Sequence, residues 1–149
     1  MTYLVIGGTG TLGKAMTDKL VLAGHHVIIL SRDEFKQSEM RKNYDDGSVS
    51  FVLGDIRDVS SLVSSIRDAD YIFHFAALKR IPELEENPEE CIKTNIVGSQ
   101  NVLDLACQFH KPAAFTSTDK AIEPINVYGM SKGISERLFL KAGHVVIRS

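Results

Sequence analysis

Residues 3–13, YLVIGGTGTLG, change pattern at their middle. Tyr3–Ile6 is a short apolar run of the kind that forms a buried strand, whereas from Leu12 onward apolar residues recur at helical spacing. Leu12, Ala15, Met16, Leu20 and Ala23 fall on one face of a predicted helix over Leu12–Ala23. At the junction, Gly7, Gly10 and Gly13 stand in a GxxGxxG spacing. Glycine permits a tight turn and a close backbone approach, and the first helical turn carries N–H groups without intrahelical partners, so the junction suits a diphosphate. The pattern alone is weak; its place between strand and helix gives it weight. The expected diphosphate contacts are Gly7, Thr9, Gly10, Thr11, Leu12 and Gly13.

Outward from this junction the alternation repeats. Val27–Leu30, Val49–Leu53, Tyr71–Phe75, Ala113–Thr116 and Val145–Ile147 read as strands. Glu34–Asn43, Val59–Ile66, Asn87–His110 and Val127–Lys141 read as helices between them. Short apolar runs separated by helices imply a parallel sheet covered on both faces. The expected fold is therefore α/β: a doubly wound parallel sheet of about six strands, a Rossmann fold, forming one domain over residues 1–149. In the longest helix, Asn87 suits the cap, Pro88 the first position, and Glu89 and Glu90 the positive end of the dipole. Ile92, Ile96, Val102, Leu103 and Ala106 form its expected buried stripe, and residues 82–90, PELEENPEE, read as a solvated loop and helix start.

Composition narrows the function classes. With 24% charged and 44% hydrophobic residues, the 149-residue chain has the balance of a soluble globular domain. A net charge of −2 gives no general attraction to nucleic acid or to anionic lipid. No apolar run approaches the ~20 residues of a membrane span, and the amino terminus enters a strand with no basic leader, so a cytoplasmic location is expected. Cys91 and Cys107 share one predicted helix, about 24 Å apart at ~1.5 Å per residue, and read as buried thiols rather than a disulfide. The histidines show no ligand spacing, and no metal site is expected.

A dinucleotide cofactor can be read further along the strand ends. After the second strand come Ser31 and Arg32, and only then Asp33. A hydroxyl and a guanidinium suit a 2′-phosphate, whereas an acidic residue would accept from a free 2′-hydroxyl. NADP is the expected cofactor and NAD the second choice, since Asp33 is within reach. Asp55 and Ile56, in GDIRD, stand where an adenine ring would be flanked, and Ala76 and Ala77, in HFAALKR, are small enough to let a ribose-phosphate pass.

The stretch STDKAIEPINVYGMSK, 117–132, holds two ionisable pairs. Tyr128 and Lys132, four apart, share one face of the last helix, where an ammonium can lower the phenol's pKa and hold a cofactor ribose. That produces a base for a hydroxyl whose carbon loses hydride. Asp119 and Lys120 are either a second chemical pair or a salt bridge in a surface loop. Taken together, GGTGTLG, FHFAALKR, STDKA and NVYGMSK resemble an extended short-chain dehydrogenase/reductase, and among these the inverting UDP-N-acetylglucosamine 4,6-dehydratases of bacterial surface-sugar synthesis. SRDEFKQ is similar to the same family, which uses NADP.

The resemblance implies a lyase with internal redox and a UDP-sugar substrate. It implies that Lys120 removes the C5 proton, that Asp119 assists loss of the C6 hydroxyl, and that Thr118 hydrogen-bonds the C4 oxygen beside Tyr128. Tyr128 and Lys132 serve the oxidation; Asn95 matches a family asparagine that orients Lys132, or is a polar spot in a helix interface, and Asn95 and Lys79 are the residues expected toward the substrate. For Lys120 to act as a base, burial or a cationic neighbour such as Lys132 should favour its neutral form. The resemblance covers essentially this whole chain but only the first half of such an enzyme, so a carboxy-terminal substrate domain is expected to be absent. A dinucleotide-binding module without turnover, or an epimerase or reductase of the same fold, is the alternative. Pairing through the long helix and the Tyr128 helix implies a homo-oligomer.

Overall fold

The computed structural model describes residues 1–45 and 47–149. Six strands, β1 (Thr2–Ile6), β2 (His26–Ser31), β3 (Val49–Leu53), β4 (Tyr71–His74), β5 (Ala113–Ser117) and β6 (Val145–Arg148), form one sheet in the order 3-2-1-4-5-6. Every pairing is parallel. This is the doubly wound order, and its switch point lies between β1 and β4, where a crevice opens at the carboxyl ends.

The helices divide between the two faces. α1 (Thr11–Leu22) and α2 (Glu34–Arg41) cover Val5, Val27 and Ile29. α3 (Val63–Asp68), α6 (Ser99–Gln108) and α7 (Val127–Lys141) cover Leu4, Ile6, Ile72 and Phe115. Phe115 of β5 stacks on Phe139 of α7 with centroids 4.8 Å apart, both fully buried. Burying each such ring is worth about 1.5–3 kcal/mol, so this pair pins the Tyr128 helix to the sheet.

Several local expectations are corrected. α1 turns Gly13 and Thr17 to the sheet and leaves Leu12 45% exposed, with Ala15 and Ala23 also outside. The helix enters so close to the glycine turn that a Cβ at Gly13 would strike the backbone of Gly8, so only small residues fit that face. The acidic stretch contains a short helix, α4 (Ile81–Glu86), rather than a loop alone. Val59–Ile66 divides into a 3-10 turn, Val59–Ser61, and α3. The long helix is composite: α5 (Pro88–Cys91), a π-helical stretch Ile92–Gly98, then α6. Its wider turns put Cys91, Thr94, Asn95 and Gly98 inside and leave Ile92 outside, 47% exposed, against the expected apolar stripe. Cys91 is buried as expected; Cys107 is exposed, with its Sγ 3.8 Å from His144 Nε2. Among the described residues no helix is long and apolar enough to cross a membrane, and no cluster of metal-ligating side chains occurs.

Candidate active site

A groove of about 840 Å³ runs along the carboxyl ends of β2, β1 and β4. Gly7, Thr9 and Gly10 form its middle, Ser31, Arg32, Asp55 and Ile56 one end, and Ala76, Ala77 and Lys79 the other. Gly7 has φ +78°, and a Cβ there would lie 2.7 Å from the Ala76 nitrogen. Only glycine joins β1 to α1 this tightly against the chain leaving β4. Gly13 lies buried beneath the loop, while Thr11 and Leu12 are exposed at the start of α1 and outside the groove wall.

The β2 end carries positive charge. Ser31 accepts from Gln37 Nε2 at 2.9 Å, and the same nitrogen donates to Val52 O at 2.8 Å, tying β2, β3 and α2 together. Asp33 caps α2, its Oδ1 accepting from the Lys36 N–H at 2.9 Å. That carboxylate is held by the helix start, whereas Arg32 stays free enough to stand 4.0 Å from Asp55 across the groove. Lys36 also lines the groove. No sequence pattern marks it; it stands in the first turn of α2.

The second constellation gathers at the ends of β5 and α7. Thr118, buried, starts a 3-10 turn over Asp119–Ala121, accepting from the Lys120 N–H at 3.3 Å and donating to Asp119 Oδ1 at 3.2 Å. Asn126 caps α7 through the Gly129 N–H at 2.7 Å. A side chain at Gly129 would collide with the Lys120 carbonyl, so the Asp119–Lys120 turn sits directly on the first turn of the helix that bears Tyr128. Burial raises the Tyr128 pKa, the Thr118 hydroxyl opposes that, and the charge of Asp119 adds to the rise. The expected lowering by Lys132 is therefore corrected: in the chain alone, burial of the phenol outweighs any stabilisation of its anion.

Lys132 is 3% exposed, with Nζ 4.2 Å above the Phe115 ring. Burial, then the charge of Lys79, lowers its pKa to about 7. The ammonium thus links the Tyr128 helix to the Lys79 end of the groove. His74, fully buried on β4 and 5.5 Å from the Phe115 ring, is driven down to about 3 by burial and then by Lys132, and stays neutral.

Two further expectations change. Lys120 is half exposed, its Nζ 3.9 Å from Asp119 Oδ1, and Asp119 is 80% exposed. The enclosure expected for a neutral Lys120 amine is not formed by the described residues, because the 3-10 turn projects from the sheet rim. Asn95 is 1% exposed and engaged wholly by protein. Its Oδ1 accepts from Leu78 N at 2.8 Å, and its Nδ2 donates to Leu78 O at 3.0 Å and Ser131 Oγ at 3.1 Å. Asn95 clamps the strand exit beside Lys79 to the residue preceding Lys132, with its amide taken up by protein.

The family model described as "Polysaccharide biosynthesis protein" matches residues 3–148. The chain belongs to that family. Within the polysaccharide biosynthesis family it is similar to an inverting UDP-N-acetylglucosamine 4,6-dehydratase of Campylobacter jejuni subsp. jejuni serotype O:23/36 (strain 81-176), 44% identical over 147 residues. The match covers 95% of this chain and 43% of that dehydratase. It is also similar to a UDP-glucose 4-epimerase of Rickettsia bellii (strain OSU 85-389), 39% identical over 99% of this chain and 45% of the epimerase. The chain thus spans less than half the length of these curated relatives. The crystal structure of Pen from Bacillus thuringiensis superposes with a TM-score of 0.90 at 36% identity, over 95% of this chain and 46% of that one. The doubly wound fold and the resemblance read from the motifs both stand.

Proposed function

We propose that this chain is the cofactor-binding and catalytic half of an NADP-dependent sugar-nucleotide 4,6-dehydratase acting on UDP-N-acetylglucosamine. The observation that carries the reading is the seating of the Asp119–Lys120 turn on the first turn of the Tyr128 helix. An oxidation at C4 alone needs Tyr128 and Lys132; an elimination next to it needs a second acid and base within reach of the same sugar. The groove fits the cofactor: the turn at Gly7 packs against the Ala76 backbone with no room for a Cβ and lines the groove at the start of α1, and Arg32 and Lys36 offer cations to a 2′-phosphate while Asp33 is held as a helix cap.

NADP held along the groove by the Gly7 turn, Arg32 and Lys36 would supply reversible hydride transfer. Tyr128 takes the C4 hydroxyl proton, and Thr118 donates to the C4 oxygen as it becomes a carbonyl. That carbonyl acidifies the C5 hydrogen, which Lys120 removes as a proton. Asp119 gives a proton to the C6 hydroxyl, which leaves as water. Once C6 has gained hydride, a proton returns to C5 from the Lys120 ammonium or from water, and the proton taken up by Tyr128 restores the acid form of Asp119 through solvent. Lys132 and Lys79 hold the anionic and hydroxyl-rich ligands at this end, and Asn95 keeps both lysines in place. Substrate seated on the exposed turn withdraws Lys120 from water.

Incubation of the chain with NADP and UDP-N-acetylglucosamine is expected to yield a 4-keto-6-deoxy sugar nucleotide, read by mass spectrometry as loss of one water. A second reading is favoured by the similarity to a UDP-glucose 4-epimerase and by the exposure of Lys120. A C4 epimer of unchanged mass would establish that reading and reject the dehydratase.

Cofactor choice has its own test. Arg32→Ala is expected to weaken NADP binding by roughly 10- to 100-fold, the worth of a charge-assisted hydrogen bond to phosphate, and to leave NAD within about twofold. An equal loss for both dinucleotides would assign Arg32 to the groove surface and remove the argument for NADP.

A further inference from the structure

Val127 opens α7, and its N–H donates to Glu85 Oε1 at 2.6 Å, across 42 residues of chain. The Gly129 N–H is met by Asn126 Oδ1 at 2.7 Å, so the helix that bears Tyr128 has one cap from its own segment and one from α4. Cys91 Sγ donates to the Val127 carbonyl at 3.9 Å, and Ser131 Oγ donates to the Tyr128 carbonyl at 2.7 Å. The peptide groups before and after the Tyr128 Cα are therefore both held.

The place of Glu85 is unfavourable for its own helix. α4 carries it in the last turn, where no basic residue stands, and a carboxylate at the carboxyl end of a helix opposes the peptide dipoles. At the amino end of α7 the same charge is favourable. A local rule broken in one element and met in another marks a tertiary role. The contact also closes a frame around the Lys79 arm of the groove. At the start of that arm, Leu78 is gripped by Asn95, whose Nδ2 also donates to Ser131 Oγ at 3.1 Å. At its end, Glu85 grips Val127. Lys79 and Arg80, both on the groove wall, lie between the two ties, and both ties end on the turn of α7 from Val127 to Ser131. Glu85 itself is outside the groove wall.

We propose that Glu85 is a positioning residue for the oxidation: through the Val127 N–H it holds the first turn of α7, and with it the Tyr128 phenol, in register with the Lys79 arm of the groove. The inference rests on the reading of Tyr128 as the base that takes the C4 hydroxyl proton. The effect is one of geometry, since displacing a reacting group by about 1 Å can cost on the order of 100-fold in rate while binding elsewhere is kept.

Glu85→Ala, Glu85→Gln, Val127→Pro and the double variant of Glu85→Ala with Val127→Pro test this in the full chain. Proline suits the first helical position and has no N–H. Asn126 has φ −139° and ψ 164°, the extended conformation that a residue before proline prefers, so Val127→Pro deletes the donor and keeps the helix. Oxidation of UDP-N-acetylglucosamine at C4 is followed as absorbance of reduced nicotinamide, and NADPH affinity by nicotinamide fluorescence. Glu85→Ala and Val127→Pro are each expected to slow oxidation by about 10- to 100-fold, with NADPH affinity within about twofold of the original. Glu85→Gln keeps an acceptor and should recover most of the rate. The double variant should be within about twofold of the slower single one, since both remove the same bond. Oxidation at the original rate in Glu85→Ala overturns the inference and leaves the role of Tyr128 intact. Joint loss of rate and NADPH affinity, no recovery in Glu85→Gln, or additive losses in the double variant assign Glu85 to general stability or charge and overturn it as well. An unsubstituted chain that leaves C4 unoxidised removes the functional reading and this inference together.

Discussion

Gly7→Val is expected to cost the chain both its dinucleotide affinity and much of its stability. Position 7 has φ +78°, which an L-residue adopts at about 1–2 kcal/mol and a β-branched one at more. A Cβ there would lie 2.7 Å from the Ala76 nitrogen and 2.9 Å from its Cα, and backbone cannot rotate aside as a side chain can. Relieving the clash means parting β1 from the exit of β4, at the switch point of the sheet. We expect a loss of roughly 3–5 kcal/mol and a melting temperature lower by about 10 °C, with NADPH binding weakened more than about 100-fold. Gly10→Ala separates the two effects, since a Cβ at Gly10 meets only the Gly7 oxygen at 3.6 Å. That variant should melt like the original and still bind more weakly, because the methyl group faces the groove. Melting and affinity near the original values in Gly7→Val would refute the tight-turn account.

Lys120→Ala is expected to abolish exchange of the sugar C5 hydrogen with solvent. In deuterated buffer with NADP and UDP-N-acetylglucosamine, the unsubstituted chain should place deuterium at C5. The alanine variant should slow that by about 10²–10⁴-fold, the usual share of a positioned base. Oxidation at C4, served by Tyr128 and Lys132, should survive in Lys120→Ala and be seen as near-ultraviolet absorbance of reduced nicotinamide; Tyr128→Phe should remove both signals. Since Lys120 lies half exposed on a 3-10 turn, its replacement should leave the fold unchanged, so a lost exchange reports chemistry. Exchange in Lys120→Ala at the original rate would strip Lys120 of its role. If the unsubstituted chain exchanges nothing at C5 while interconverting C4 epimers, the epimerase reading replaces the dehydratase.

The glycine turn and the alternation of strands and helices were legible because each depends on residues close together in the chain, whereas Asn87 begins the long helix without a side-chain cap, its Nδ2 donating back to Glu83 O. The errors share a cause too. Leu12 and Ile92 were assigned inward by regular 3.6-residue periodicity, and both lie outside: α1 approaches the sheet too closely for large side chains, and the π-helical stretch breaks the period. Asn95 was legible as a residue of interest, but its clamp on Leu78 and Ser131 depends on contacts 17 and 36 residues away. Lys36 and Thr94 carried no pattern of their own in the chain and became visible only as walls of a groove.

By itself, then, the order of residues determined the doubly wound fold, the glycine turn and the two ionisable pairs, because hydrophobic period and turn chemistry are local properties. Burial, which sets charge states and unmet hydrogen bonds, was decided only in three dimensions. Burial against Phe115, then the charge of Lys79, lowers the Lys132 pKa to about 7, Lys120 remains in water on its exposed turn, and the Thr94 hydroxyl has no partner among the described residues where the helix is rewound. Each of these depends on what distant segments bring alongside a side chain, and no spacing along the chain encodes that neighbourhood.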